Sequence, residues 1–273
     1  MRIGPGAVRS VLLGGLLAAV AAAGAAAGAA NPAAAQPPPA RHVVIVGLSG
    51  LRWSDVSPAG TPALWQLAGQ GSVASLVDYA VLPVTCPADG WLTLNAGARA
   101  QSDHTDAACG TFPAVIPAGP GAQVPGLGSL ISYNAQFHNN PGWGLLAGAA
   151  GCSVAVGPGA ALALAEPEDS SGHVGSYLPS PSVLSAAVLA RCPLTVVDLG
   201  NLGYTGRPQL LRSADSELAR IVADLPPGTT LLVTAPGATT GPPHLQLALV
   251  DGPSASDERP VSSLPSGGLV VEV

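Results

Sequence analysis

A serine early in the chain lies in a pattern typical of enzymatic nucleophiles. The motif G-L-S-G at 47–50 resembles the sharp strand-to-helix turn that exposes a catalytic hydroxyl, with Ser49 as the nucleophile. The complete G-x-S-x-G pattern requires glycine at position 51, where this chain has Leu51. A metal-free serine hydrolase also needs a base and an orienting carboxylate, for which His244 and Asp198 are the candidates.

Two other groups of side chains have the chemistry to bind a ligand. Arg52 and Trp53 follow the first predicted strand, where a guanidinium and an indole can hold an anionic group or a sugar. The alternative for Trp53 is packing beneath a loop. The run S-D-H-T-D at 102–106 has the residue types of a metal site, but it lies outside the predicted strand ends. We interpret this run as a solvated loop.

The elements that must position these residues alternate between strands and helices. The continuous apolar run from His42 to Leu48 is typical of a strand buried on both faces. Thr61 and Pro62 indicate the beginning of a helix, and Gly71 indicates its end. The same criteria predict further strands at Val73–Leu76, Ser153–Val156, Leu194–Leu199, Thr230–Thr234 and Leu245–Val250.

Helices fill most of the intervals between these strands. They are predicted at Trp91–Ala96, at Pro181–Leu189, and from a cap at Ser213 to about Leu225. The region from Gly110 to Gly144 is rich in Gly, Pro and Asn without a clear period, which indicates a loop or insertion. The alternation predicts an α/β fold with a mainly parallel sheet and helices on both faces.

The composition predicts a globular domain and argues against a nucleic-acid-binding protein. Hydrophobic residues make up 48% of the 273 residues, enough for one large core. The formal net charge is -6, which argues against nucleic acid as a partner, because phosphate binding needs a basic surface. We therefore expect no nucleic-acid partner.

The amino-terminal segment predicts export. Arg2 and Arg9 precede an uncharged run from Val11 to Ala30, and the triplet A-A-A at 33–35 offers a signal-peptidase site. This pattern predicts a signal peptide at 1–35, a Pro-rich spacer at 36–41, an α/β domain at 42–273 and a secreted or extracytoplasmic protein. The alternative is an uncleaved membrane anchor, because the run approaches the length that spans a bilayer.

The four cysteines agree with export. Their number is even, no two form a C-x-x-C pair, and an oxidising compartment favours disulfides. Of the three pairings, we favour Cys86–Cys109 and Cys152–Cys192, because each closes a loop of moderate length. The alternative, Cys86 as a nucleophile, needs an adjacent base that the sequence does not show.

Three blocks of sequence resemble the alkaline phosphatase superfamily, which includes sulfatases and nucleotide pyrophosphatase/phosphodiesterases. The blocks are G-L-S-G-L-R-W at 47–53, the helix pattern T-P-x-L-x-x-L-A-x-x-G at 61–71, and T-C-P-x-D-G-W-L-T-L-x-A-G at 85–97. The later strand and turn T-L-L-V-T-A-P-G at 230–237 is similar to the family's strand before its Asp-His-Gly metal motif. The resemblance implies a three-layer sandwich around the parallel sheet.

The resemblance also implies a mechanism. Enzymes of this family use a nucleophile held against divalent metals, and the nucleophile position falls on Thr85. The metal positions depart from the family pattern, because Ser49 replaces an aspartate and A-P-G at 235–237 replaces Asp-His-Gly. Asp198 is the one carboxylate that can be carried over as a metal ligand. The resemblance thus predicts a degenerate metal site.

The function predicted from these departures is binding. We expect an exported alkaline phosphatase-like pseudoenzyme that uses its former cleft for an unidentified ligand or envelope partner. The first alternative is a phosphoester or sulfate-ester hydrolase that uses Thr85 with divalent metal. The second is the metal-free serine hydrolase built on Ser49.

Overall fold

A mainly parallel sheet forms the centre of the molecule. The computed structural model describes residues 42–77, 80–104, 108–203, 205–238 and 246–253. Within these ranges the strands are β1 (His42–Ser49), β2 (Ser72–Leu76), β3 (Ile116–Ala118), β4 (Gly121–Val124), β5 (Ser153–Val156), β6 (Glu166–Glu168), β7 (Ser171–Val174), β8 (Tyr177–Leu178), β9 (Leu194–Asn201), β10 (Thr229–Thr234) and β11 (Gln246–Asp251). The central sheet has the order β2-β11-β10-β1-β9-β5-β8.

Five neighbouring strands of this sheet, β10-β1-β9-β5-β8, run parallel. Strand β11 is antiparallel to β10, and β2 is antiparallel to β11. The strand β1 lies in the middle, and the residues from Val44 to Ser49 are all buried, as its unbroken apolar run predicts. The predicted α/β class with a mainly parallel sheet is confirmed.

Helices cover both faces of the central sheet. Among the described residues they are α1 (Pro62–Gln70), α2 (Pro87–Ala96), α3 (Leu127–Asn134), α4 (Leu145–Ala150), α5 (Pro158–Leu164), α6 (Ala186–Leu189) and α7 (Arg207–Ala223). One core cluster joins α1, α6 and α7 to side chains such as Val44 and Val46. The other joins α2, α3, α4 and α5 to the opposite face, including Ile45. The three-layer arrangement is confirmed.

Helix α2 packs very closely against the sheet because glycines face its tryptophan. A Cβ atom added at Gly47 would lie 2.3 Å from the ring of Trp91, and one added at Gly159 would lie 2.1 Å from its Nε1. Trp91 is 1% exposed. The two glycines therefore set the depth at which α2 sits over β1 and α5, and with it the position of the amino-terminal end of α2.

The prediction of a loop is wrong for much of the region Gly110–Gly144. This region contains β3, β4 and α3, and the strands β3-β4-β7-β6 form a second sheet with antiparallel pairings. The strands are only three or four residues long, too short to show a period. Strand β4 pairs on one side with its sequence neighbour β3 and on the other with β7, about fifty residues further along the chain, and neighbouring sequence gives no sign of the second pairing.

Several helix boundaries also differ from the prediction. Helix α2 begins at Pro87 rather than Trp91, and Asp89 accepts a hydrogen bond from the Cys86 backbone N–H at its amino-terminal end. Helix α7 begins at Arg207 rather than near Ser213. The predicted helix Pro181–Leu189 is divided into a 3-10 turn, Pro181–Val183, and the short α6.

Both predicted disulfides are present. Cys86 is bonded to Cys109, and Cys152 is bonded to Cys192. Within the described ranges, no helix is long and apolar enough to cross a bilayer. The signal peptide predicted at 1–35 and the spacer at 36–41 lie outside the described residues.

Candidate functional site

A cavity of about 340 Å³ opens at the carboxyl ends of β1 and β9. Ligands of parallel α/β sheets commonly bind at this end of the strands. The amino-terminal end of α2, the Cys86–Cys109 disulfide and the beginning of α5 complete its wall. The side chains that line it include Ser49, Trp91, Ser102, Phe112, Asp198 and Asn201.

Ser49 lies at this cavity, as expected for the end of β1, but its hydroxyl is not activated by the described residues. The side chain is 1% exposed, and its Oγ donates to the carbonyl oxygen of Pro236 at 3.3 Å. Within the part of the chain that the structure describes, no imidazole or carboxylate hydrogen-bonds to this hydroxyl. His244, the predicted base, lies outside the described residues.

Asp198 reaches the same cavity from β9. Its Oδ2 accepts from the backbone N–H of Gly159 at 2.8 Å, and its Oδ1 accepts from that of Gly200 at 2.8 Å. Gly159 is in the first turn of α5, so the carboxylate satisfies an otherwise unpaired helix N–H. Burial raises the pKa of Asp198, and the two backbone donors lower it by less. This carboxylate is therefore also a structural group.

Thr85 precedes the amino-terminal end of α2, as predicted, but it is not among the residues that line the cavity. The residue is 7% exposed, and its Oγ1 accepts from the backbone N–H of Ala80 at 3.0 Å. Its carbonyl oxygen accepts from the Ala238 N–H at 2.9 Å. These contacts hold the strand-to-helix connection in place, and a nucleophilic role for Thr85 stays a prediction.

Arg52 and Trp53 do not line the cavity. The backbone N–H of Arg52 donates to Asp55 Oδ2 at 2.8 Å at the start of a short 3-10 turn, and Trp53 packs against the core cluster that contains α1 and α7. A second guanidinium, that of Arg207, contacts the same turn. It donates to both carboxylate oxygens of Asp55 and, at 2.8 Å, to the carbonyl of Gly50. Arg207 thereby ties the loop after β1 to α7.

The segment A-P-G at 235–237 offers backbone atoms rather than side-chain ligands. Ala235 is fully buried, and the Pro236 carbonyl accepts from Ser49. Gly237 has a φ of +94°, and its carbonyl accepts from the Gly50 N–H at 2.7 Å. The segment therefore joins the ends of β10 and β1, and its first two side chains contain no donor atom for a metal.

A buried polar cluster beside the cavity was missed by the sequence analysis. His104 Nε2 lies 2.6 Å from Oδ2 of Asp89, and the side chains of these two residues are 1% and 0% exposed. Asp89 Oδ1 accepts from both the backbone N–H and the Oγ of Ser102, each at 2.7 Å. The interpretation of 102–106 as solvated is therefore wrong for Ser102 and His104, because Asp89 draws them into the interior.

The fold and cavity define a three-layer α/β protein with a cleft at the carboxyl ends of its parallel strands. No protein-family model matches the sequence, and no curated protein matches it either. Similar solved structures do exist. Murine ectonucleotide pyrophosphatase/phosphodiesterase 5 has 16% identity and a TM-score of 0.43, and the match covers 72% of this chain and 57% of that one.

Two further structures show the same degree of similarity. The PH0037 protein from Pyrococcus horikoshii has 12% identity and a TM-score of 0.44, with 78% of this chain and 86% of that chain covered. Phosphonoacetate hydrolase from Sinorhizobium meliloti 1021 has 14% identity and a TM-score of 0.39, with 74% and 57% covered. This chain thus spans 57% of the murine protein and of the hydrolase. The murine protein and the hydrolase are alkaline phosphatase superfamily members, and the likeness is limited to the fold.

Proposed function

We propose that this chain is an exported binding domain that has lost metal-dependent catalysis. The observation that carries the proposal is how few ionisable side chains line the cavity. Among the described residues that line it, Asp198 is the only ionisable side chain outside the disulfide. Both of its oxygens already accept a backbone N–H.

The donor set is poor for a pair of divalent cations. Such ions are held by several carboxylates or imidazoles, which offset their charge and replace their water ligands. Here Ser49 contributes a neutral hydroxyl hydrogen-bonded to a carbonyl, and A-P-G at 235–237 contributes none. The two disulfides support export, because such bonds persist in oxidising compartments.

The lining suggests the chemistry of the ligand. Trp91, Phe112 and the Cys86–Cys109 disulfide make much of the wall apolar, and Asp198 adds one hydrogen-bond acceptor. Apolar pockets with a few placed polar groups suit small organic ligands. We propose a small, mostly apolar ligand that donates one hydrogen bond to Asp198.

The test is a binding measurement with N-phenyl-1-naphthylamine, a neutral fluorescent probe with one N–H donor. We expect saturable fluorescence enhancement at one probe per chain. The variant Ala88→Phe should abolish it, because Ala88 is 6% exposed and lines the cavity, where a phenyl ring would occupy the space. Ala187→Phe, at an exposed position on α6, is the matched control and should bind normally.

Catalysis is tested on the same oxidised protein by metal analysis and by turnover. The substrates are p-nitrophenyl phosphate, bis-p-nitrophenyl phosphate, a sulfate ester and a carboxyl ester, and we expect no turnover. Bound zinc with turnover that disappears in Thr85→Ala would instead establish the phosphoester or sulfate-ester hydrolase. Turnover that resists chelator but disappears in Ser49→Ala would establish the serine hydrolase. Probe binding that is absent, or unchanged in Ala88→Phe, would refute the binding role.

A further inference from the structure

The Cys86–Cys109 disulfide borders the cavity and meets a buried histidine. Cys86 Sγ lies 3.9 Å from Nδ1 of His104, and both cysteines line the cavity. Cys86, Asp89 and His104 all have ligand atoms within 4.8 Å of one another. Within the described ranges, the Cys152–Cys192 bond is part of no comparable group.

Asp89 fixes the orientation of the histidine ring. Its Oδ1 accepts two hydrogen bonds from Ser102, and its Oδ2 accepts the Cys86 N–H and lies 2.6 Å from His104 Nε2. With Nε2 turned to the carboxylate, Nδ1 is the ring nitrogen that faces sulfur. Histidines that bind metals through one nitrogen commonly donate the other N–H to a carboxylate in this way.

We propose that reduction of Cys86–Cys109 creates a zinc site made of the two thiolates and His104 Nδ1. A tetrahedral zinc ion, with Zn–S near 2.3 Å and Zn–N near 2.0 Å, separates sulfur from nitrogen by about 3.5 Å. The distance in the oxidised protein is already 3.9 Å. Once the bond is reduced, the two sulfurs have to lie about 3.8 Å apart, as in tetrahedral zinc sites, and rotation of the two cysteine side chains allows this separation.

The chemistry balances with an external dithiol as reductant. Thiol–disulfide exchange breaks the Cys86–Cys109 bond, delivers two electrons and two protons to form two thiols, and closes the reductant into its own disulfide. Zinc then displaces both thiol protons to solvent. The Cys86 thiolate lies at the amino-terminal end of the ten-residue helix α2, which favours negative charge. The cavity can supply water as the fourth ligand.

This inference concerns the reduced protein and does not depend on the proposed binding function. The test uses the purified full chain with both disulfides formed. Tris(2-carboxyethyl)phosphine reduces the disulfides in the absence of air. The phosphine becomes a phosphine oxide, whose oxygen atom comes from water. Alkylation of a separate sample, followed by peptide mass spectrometry, identifies the thiols that have formed. Cobalt and zinc are added after removal of the phosphine.

We expect one metal ion per reduced chain and none per oxidised chain. The cobalt form should show the sulfur-to-metal charge-transfer band and the intense visible bands of tetrahedral coordination. His104→Gln should lose cobalt binding, and Asp89→Asn should weaken it by about 10- to 100-fold. The double variant Cys152→Ser/Cys192→Ser is the matched control and should bind cobalt normally.

Several results would overturn the proposal. The proposal is refuted if the chain stays folded with Cys86 and Cys109 as thiols but binds no cobalt. It is also refuted if cobalt binds without the sulfur-to-metal charge-transfer band. If reduction unfolds the chain, zinc should restore its far-ultraviolet circular dichroism, because binding energy is then folding energy. Failure of zinc to restore that signal would refute the site equally.

Discussion

Asp198 has the position of a metal ligand and also the contacts of a structural cap, and the sequence alone does not distinguish the two roles. By its position after the apolar part of β9 it resembles a metal ligand of the superfamily. In the structure it caps α5 through Gly159 and also borders the cavity. Since a buried carboxylate is unfavourable when charged, its protonation should be measurable in the stability of the protein.

The variant Asp198→Asn tests this coupling. Burial raises the folded-state pKa above the ordinary value of 3.8, so the folded protein keeps the proton after the unfolded chain has released it. The free energy of unfolding of the wild type should therefore fall, relative to the variant, as the pH rises from about 3.8 through the folded pKa. Urea denaturation of both proteins from about pH 4 to 7 measures the difference. A difference that stays constant would contradict a pKa raised by burial.

At the scale of single residues, the sequence identified the cavity only in part. Ser49 and Asp198 both reach it, because each stands at or near the carboxyl end of a strand that an apolar run predicts. The Asp89–His104 pair was missed because it depends on a tertiary contact across fifteen residues. The sequence C-P-x-D at 86–89 does contain a signal for the start of a helix, because a proline and a following acidic residue are typical of a first helical turn.

Among elements, those with strong local signals were predicted well. Strands β1, β5, β9 and β10 follow their β-branched runs, and α1 begins and ends at its Thr-Pro and Gly signals. The short strands of the second sheet were not predicted, and one of their pairings, β4 with β7, joins segments about fifty residues apart. In α7 the true beginning at Arg207 was missed, although Pro208 in its first turn is a start signal.

Because the beginning of α7 was predicted too late in the chain, its contact with α1 was not predicted. Asp215 lies in the middle of α7, and its carboxylate accepts from the backbone N–H groups of Ala63 and Leu64, at 3.1 and 2.9 Å, in the first turn of α1. Thr61, the predicted cap of α1, uses its hydroxyl to donate to the carbonyl of Asp55 at 2.8 Å. Helix α7 therefore supplies the capping group that α1 lacks locally.

We expect Asp215→Ala to lower the free energy of unfolding by about 1–2 kcal/mol, since it leaves two helix N–H groups without their acceptor. Urea denaturation monitored by circular dichroism measures the loss. Ser216→Ala, at the next and exposed position of the same helix, is the matched control and should change stability by less than about 0.5 kcal/mol. Equal effects of the two substitutions would show that the capping contact contributes nothing.

At the scale of the whole molecule, the two disulfides lie at opposite ends of the parallel strands. Cys152 immediately precedes β5, and Cys192 lies two residues before β9, so their bond ties the amino-terminal ends of neighbouring strands. Cys86–Cys109 lies at the opposite end, beside Asp198. Loop length predicted both pairings, whereas the chemical surroundings of each bond follow only from the folded chain.

The double variant Cys152→Ser/Cys192→Ser should separate stability from binding. The bond closes a loop with a sequence separation of 40 residues, and its removal should lower the free energy of unfolding by about 2–4 kcal/mol, because the unfolded chain gains conformational freedom. Binding of N-phenyl-1-naphthylamine should stay unchanged, since the cavity lies at the other ends of the strands. Denaturation and fluorescence titration on one preparation measure both quantities. A folded variant that no longer binds the probe would show that the two ends of the sheet are coupled.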